Sequence, residues 1–118
     1  MEEYEVKKNS RETKKKTLKI LLVIRDVEAT ETELEFLIKV NEKATGGVFH
    51  STKIAKEEIA KELEISEIYV SKMLQKFSGI NILTMVKKGV YRVDEKIRYA
   101  LTWDDLYIRI SGDAFSII

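Results

Sequence analysis

Side chains suited to binding an anion, rather than to catalysis, are concentrated between residues 66 and 92. Gln75 carries an amide that donates and accepts hydrogen bonds, Lys72 carries a mobile charge, and no Asp or Glu occurs from 68 to 93. Such a stretch is typical of a surface that meets an anion, although a chance run of solvated lysines gives the same pattern. The candidate contact residues are Ser66, Ile68, Tyr69, Ser71, Lys72, Gln75, Lys76, Lys87, Lys88 and Arg92.

No group of residues in the sequence indicates an active site or a metal centre. His50 is the only His and Cys is absent, so thiolate metal sites and disulfides are excluded and His50 is expected on the surface of a strand. Asp104 and Asp105 are adjacent, and in an extended segment they point to opposite faces and cannot pair for acid–base work. We therefore expect no enzymatic activity, cofactor, metal ion or small-molecule ligand.

The composition predicts one globular domain. The chain has 118 residues, 44% of them hydrophobic, and its net charge of +1 hides an uneven distribution of charge. No run of 18 apolar residues occurs and the start lacks the apolar stretch of a signal peptide, so we expect a cytoplasmic protein without a membrane partner. The absence of Pro, together with 35% charged residues, favours a thermophilic source.

The N-terminal third is predicted to contain a tail, a strand and a helix. Residues 1 to 16 are polar and highly charged, which is typical of a basic mobile tail, and residues 17 to 27 form a short apolar run that indicates a buried strand. A helix follows, with Thr30 or Thr32 as its N-cap and with Gly46 and Gly47 after its end. "VFHSTKI" predicts a short strand, although residues 52 to 56 could instead begin the next helix.

The segment "EEIAKELEISEIYVSKMLQKF", residues 57 to 77, predicts two short helices that must pack on each other. Ile59, Ala60 and Leu63 mark one face of the first helix, and the methyl side chain of Ala60 lets a second helix cross closely. Ser66 suits the N-cap of the second helix, because a buried stripe follows it at helical spacing. The members of this stripe are Val70, Met73, Leu74 and Phe77.

Residues 82 to 94 predict a β-hairpin with a basic turn. "INILTMV" and "VYRVD" are rich in strand-forming residues, and Gly89 in the intervening "KKG" supplies the positive φ that the turn requires. Beyond the hairpin the sequence indicates one strand at "LYIRI" and no further helix. Tyr99, Trp103 and Tyr107 could stack on nucleic acid, but core or dimer contacts are the commoner use of such aromatic residues.

The two-helix segment followed by "INILTMVKKGVYRVD" resembles a winged helix-turn-helix domain over residues 48 to 94. The preceding residues 18 to 44 and "KKGVYRVDEK" resemble plasmid replication-initiator proteins of Gram-positive bacteria, and small winged-helix proteins of archaeal viruses and plasmids are similar. The resemblance implies an α+β fold, a winged helix-turn-helix with an extra N-terminal strand and a C-terminal strand, with the helix-turn-helix at 56 to 77 and the wing at 82 to 94. This chain has Glu64 where the family's turn usually has Gly, so Glu64 must adopt a strained positive φ or the turn must differ.

The resemblance implies that the protein binds double-stranded DNA in a sequence-specific manner, in transcription regulation or in plasmid or viral replication. A homodimer is compatible with this function. Gln75 could read adenine, Ile68 could touch a thymine methyl, and Lys72 and Lys76 could reach phosphate or guanine. The alternative is a winged helix used for protein assembly, in which Ile68 and Tyr69 form the contact and DNA plays no part. The basic residues from 7 to 19 either contact phosphate without sequence preference or enter the minor groove, or else they only aid solubility.

Overall fold

The structure is a computed structural model that describes residues 2–3, 7–8, 11–102, 105–106, 108–111 and 114–117, with side chains described from 11 to 102. Within these ranges the helices are α1 (Arg11–Ile24), α2 (Glu31–Lys43), α3 (Lys53–Leu63), α4 (Glu67–Gly79) and α5 (Glu95–Thr102). The strands are β1 (Glu2–Glu3), β2 (Lys7–Lys8), β3 (Val48–His50), β4 (Leu83–Lys87), β5 (Val90–Val93), β6 (Asp105–Leu106), β7 (Ile108–Ser111) and β8 (Ala114–Ile117). The fold class is therefore mixed α+β.

A three-stranded antiparallel sheet in the order β3-β5-β4 contains the predicted hairpin. Tyr91 of β5 lies opposite Phe49 of β3 and Met85 of β4, and the register shifts between Met85 and Lys87. Gly89 has a φ of 78°, so the prediction that it supplies the positive φ of the turn is confirmed. Outside this sheet, β1, β7 and β8 form a second antiparallel sheet in the order β1-β7-β8, and β2 pairs antiparallel with β6, so the two ends of the chain are joined. The predicted strand at 106 to 110 overlaps β6 and β7, with residue 107 outside the described ranges.

Helix α1 replaces the strand that the sequence predicted at 17 to 27. Leu18 and Leu22, four residues apart, are fully buried, as expected for one face of a helix. Ile20, Val23 and Ile24 occupy the outer face of the same helix and are exposed. Because apolar residues lie on both faces, the run looks continuous and imitates a buried strand. The prediction of a tail up to residue 16 is also corrected, since α1 begins at Arg11.

Helix α5 was not expected from the sequence. Asp94 precedes it, and the N–H of Ile97 donates to the Asp94 carboxylate at 3.3 Å, in the manner of an N-cap. The same carboxylate pairs with Arg25 at 2.8 Å, which ties the end of α1 to the start of α5. Ile97, Ala100 and Leu101 are buried at the i, i+3, i+4 spacing of a short helix. The sequence "DEKIRYAL" contains both signals, the capping Asp94 and the helical spacing of the apolar residues.

The core joins α2 and α4 directly. The rings of Phe36 and Phe77 stack with centroids 6.1 Å apart, and both side chains are fully buried. The predicted helix α2 is confirmed, with Thr30 as its N-cap in a capping box with Glu33. The five described helices and the small antiparallel sheet are compatible with a winged helix without being specific to it.

Candidate nucleic-acid interface

A tight turn fixes α4 against α3. Thr52 caps α3 by accepting from the N–H of Ala55 at 3.1 Å, and Ser66 caps α4 by accepting from the N–H of Tyr69 at 3.1 Å. Between the helices Glu64 has a φ of 55° and a ψ of 45°, so of the two alternatives that the sequence left open, the left-handed conformation of a non-Gly residue is the one adopted. The N–H of Ile65 donates to the C=O of Ala60 at 2.9 Å, which closes the turn.

Helix α4 has a buried stripe and an opposite exposed face. Its predicted inner residues are buried, namely Val70, Met73, Leu74 and Phe77. Successive residues of an α-helix are rotated by about 100°, which places Ile68, Lys72 and Gln75 directly opposite this stripe. All three are exposed, Ile68 to 70%. We call these three residues the α4 outer face.

Lys76 lies on a flank of α4 and is bound by α2. Its Nζ is 2.5 Å from Oε2 of the buried Glu33 and 3.5 Å from the carbonyl oxygen of Glu28. Burial favours the neutral form of Glu33, but hydrogen bonds from Lys76 and Thr30 outweigh this effect and lower the pKa of Glu33. The ammonium group of Lys76 is therefore bound within the chain, where it stabilises the packing of α4 on α2, and contact of Lys76 with phosphate or guanine stays a prediction.

The remaining candidates on α4 occupy the margins of the outer face. Tyr69 is 40% exposed, on the same flank as Lys76, whereas Ser71 is half-buried on the other flank. Ser66 is exposed at the start of α4, and its hydroxyl caps the helix. Glu64 and Glu67 are exposed near the same end of α4. Their carboxylates therefore offset the positive partial charge of the helix dipole at the N-terminus of α4.

The hairpin of β4 and β5 presents the second group of candidate cations. Lys87 and Lys88 are exposed at its turn, and Arg92 is exposed between the buried Tyr91 and Val93. Among residues 11–102 none of these three cations has an ion-pair partner, and the same holds for Lys72. Because side chains alternate along a strand, the exposed Arg92 lies on the sheet face opposite to the buried Tyr91 and Val93, whereas the two lysines lie at the hairpin tip.

Ser51 holds the hairpin turn and was missed by sequence reasoning. Its N–H and its hydroxyl both donate to the carbonyl oxygen of Gly89, at 2.8 and 2.9 Å. The bonds fasten the basic turn to the segment that leads into α3. A lone Ser between a strand and a helix gives no sequence signal for such a contact, because its partner lies 38 residues away.

Two of the three carboxylates of α3, Glu58 and Glu62, pair with lysines of α2, whereas Glu57 pairs with Lys53 of its own helix at 3.9 Å. Glu62 pairs with Lys39 at 2.9 Å, and Glu58 pairs with Lys43 at 2.9 Å. A hydrogen bond from Lys39 is the main cause of the lowered pKa of Glu62, and one with Glu58 is the main cause of the raised pKa of Lys43. These two acids are therefore neutralised by lysines of α2 where the two helices pack together.

Part of the N-terminal basic segment is also neutralised within the chain. Glu35 pairs with Arg11 at 2.7 Å and with Lys15 at 2.5 Å, and Lys15 also reaches Glu31 at 2.8 Å. The hydrogen bond from Arg11 is the first cause of a pKa of about 2 for Glu35. Arg11 and Lys15 thus join α1 to α2, which corrects their expected place in a tail, while the side chains of Lys7 and Lys8 lie outside the described residues.

The remaining sequence candidates are His50 and the aromatic and acidic residues between 99 and 107. His50 is exposed on β3, as expected. Tyr99 is exposed on α5, and Trp103, Asp104 and Tyr107 lie outside the described residues. Among the residues that the structure describes, no three His, Cys, Asp or Glu side chains are grouped to hold a metal ion. No described helix has both the length and the apolar character needed to cross a membrane.

No protein-family model, curated protein or solved structure matches this chain.

Proposed function

We propose that this chain is a winged helix-turn-helix protein that binds double-stranded DNA in a sequence-specific manner, as a transcription regulator or a plasmid or viral replication initiator. The observation that carries the proposal is the α4 outer face. Ile68, Lys72 and Gln75 form an exposed stripe opposite the buried stripe of a helix, and Glu58 and Glu62 of α3 are bound to lysines of α2. In this proposal α4 is the recognition helix and enters the major groove.

The chemistry of the outer face suits base edges. The Gln75 amide can bond N6 and N7 of adenine together, Ile68 can contact a thymine methyl group, and Lys72 can reach guanine or a phosphate. In this proposal Lys76 has no part in base contact, because Glu33 holds its ammonium group. The proposal therefore assigns specificity to Gln75 and Ile68.

The hairpin supplies affinity that does not depend on sequence. The two bonds from Ser51 to the Gly89 carbonyl hold the turn that carries Lys87 and Lys88, and in this proposal that turn is the tip of the wing. Lysines that neutralise DNA phosphates release the counterions bound to the DNA, and their contribution to affinity weakens as the salt concentration rises. Arg92, on the outer face of the sheet, can join the backbone contacts only if DNA reaches that face.

Selection of bound duplexes from a random pool, followed by binding measurements on the selected site, tests the proposal. An enriched motif is expected, and Gln75→Ala should weaken binding to it by about 1–3 kcal/mol while leaving binding to random duplex unchanged. Lys96→Ala, which removes an exposed lysine of α5, is the matched control and should alter neither. Absence of any enriched motif, or equal losses on both duplexes with Gln75→Ala, contradicts base recognition.

A second candidate function, assembly with another protein, is favoured by the exposed apolar pair on α4. Ile68 is 70% exposed and Tyr69 is 40% exposed, and such neighbours on a helix surface are typical of protein contacts. A gel shift with random duplex at low salt separates the two functions. Retardation at micromolar protein supports DNA binding, whereas its absence supports assembly.

A further inference from the structure

Helix α1 exposes an apolar stripe on the side away from the core. Ile20, Val23 and Ile24 are 38, 58 and 65% exposed, and their i, i+3, i+4 spacing places them on one face. Leu18 and Leu22 already anchor α1 to the rest of the chain, so the outer stripe is not needed for its packing. Three neighbouring large aliphatic residues on one exposed face are typical of a helix that packs on a second partner.

A surface pocket continues the stripe at the end of α1. It has a volume of about 340 Å³ and is lined by Leu22, Val23, Val27 and Ala29, with the polar side chains of Lys19 and Glu28 also contributing. An aliphatic side chain from a partner helix would find apolar walls there. The pocket flanks Val23 and extends past the C-terminal end of α1 to Val27 and Ala29. A side chain from the N-terminal part of a partner's stripe reaches it when the two helices run in opposite directions.

The charges around the stripe are self-complementary in that antiparallel arrangement. The exposed cation Lys16 stands one turn before Ile20, whereas the exposed acids Asp26 and Glu28 follow Ile24. Among the side chains described, none of these three charged groups has an ion-pair partner. If two copies pack with Ile20 of one opposite Ile24 of the other, each Lys16 lies near the acids of the partner, and the pairing occurs twice about the two-fold axis.

We propose that α1 is the contact between two copies of this chain, which pack antiparallel through Ile20, Val23 and Ile24, with Ile20 entering the pocket of the partner. The interface is independent of DNA binding and holds whether or not α4 contacts a duplex. If α4 does bind DNA, the dimer presents two such helices, and the selected site is then a pair of half-sites.

Sedimentation velocity on the full chain without DNA tests the interface. The wild type should show a dimer that dissociates on dilution from about 0.1 mM, and Val23→Lys should raise the dissociation constant about thirtyfold or more, because it places a charge at the centre of the contact. Ile54→Lys changes an equally exposed isoleucine on α3 and is the matched control, with no effect expected. A chain that is monomeric throughout, or a dimer that Val23→Lys leaves intact, overturns the proposal.

Charge reversal tests the antiparallel pairing. Lys16→Glu and Glu28→Lys should each weaken the dimer, and the double variant should restore it, since the pair is then reversed on both sides of the axis. Weakening that adds in the double variant, without recovery, overturns the proposed pairing.

Because the chain has no Cys, single thiols can report the geometry. Val23→Cys lies near the two-fold axis and should form a disulfide with its own copy under oxidation, whereas Ile20→Cys should link only to Ile24→Cys in a mixed sample. Self-linking of all three single variants indicates parallel helices and overturns the antiparallel dimer.

Discussion

Lys76 of α4 and Glu33 of α2 form an ion pair with 2.5 Å between Nζ and Oε2, although 43 residues separate them in the chain. Glu33 also completes the capping box of α2, since its Oε1 accepts from the N–H of Thr30 at 2.9 Å. One carboxylate therefore fixes the start of α2 and holds α4 at the same time. The orientation of the proposed recognition helix thus depends on a residue outside the α3–α4 pair.

Removal of this ion pair should destabilise the chain. Lys76→Met leaves a buried carboxylate without its cation, and we expect the free energy of unfolding to fall by about 1–3 kcal/mol. This is less than a fully buried pair contributes, because the Lys76 side chain is 42% exposed. Urea unfolding of Lys76→Met, Glu33→Gln and the double variant should give a coupling energy of at least about 0.5 kcal/mol. Additive effects of the two substitutions would contradict a direct interaction.

Replacement of both hairpin lysines should change the salt dependence of DNA binding. Each phosphate contact contributes about 0.9 to the slope of log K against log salt, so Lys87→Ala with Lys88→Ala should make the slope about 2 units shallower. The loss should be the same for specific and random duplexes. Lys96→Ala should leave the slope unchanged, and an unchanged slope in the double variant would place the wing away from the phosphates.

The contribution of Glu35 to stability should depend on pH in the acid range. Its pKa is lowered from an ordinary 4.5 to about 2, chiefly by the hydrogen bond from Arg11. Because the unfolded chain takes up this proton at higher pH than the folded chain, the stabilisation is complete above about pH 4.5 and is lost as the pH falls toward 2. Wild type and Glu35→Gln should therefore differ in thermal unfolding at pH 7 and converge toward pH 2. A difference that is constant over this range would contradict the lowered pKa.

Thr17→Val should stabilise the chain. Thr17 is buried in α1, and its hydroxyl has no hydrogen-bond partner within the described residues. Replacing the hydroxyl with a methyl group removes an unsatisfied polar atom without leaving a cavity, and we expect a gain of about 1 kcal/mol in urea unfolding. Thr17→Ser keeps the hydroxyl and deletes the methyl group, so it should lose stability. A Val variant less stable than wild type would show that the hydroxyl has a partner.

Glu64→Gly should relieve strain in the turn between α3 and α4. A non-Gly residue at a φ of 55° is disfavoured by its Cβ, whereas Gly adopts this conformation freely. Glu64→Ala is the proper comparison because it retains the Cβ and removes the carboxylate. We expect the Gly variant to be more stable than the Ala variant by about 1 kcal/mol in urea unfolding. Equal stabilities would show that the left-handed conformation is not strained.

Local patterns in the sequence predicted α2, the pair α3 and α4, and the β4–β5 hairpin. Thr30 and Ser66 cap the helices that follow them, and Gly89 has the positive φ expected of it. Each of these signals acts between residues a few positions apart in the chain, so it can be recognised without knowing the fold. Asp94 gives the same kind of signal for α5, but the helix is short and follows a strand directly, so its apolar pattern is weak beside that of the hairpin.

The sequence by itself determined which residues are buried in α4 and, from their spacing, which face remains exposed, because helical periodicity is a local property. Only the tertiary structure decided that Lys76 is bound by Glu33 while Lys72 has no such partner among the described residues, and that Arg11 and Lys15 pair with Glu35. It also decided that the run after residue 16 is a helix with an exposed apolar stripe. The physical reason is that an ion pair, or the covering of a hydrophobic face, depends on residues brought together by folding from distant parts of the chain.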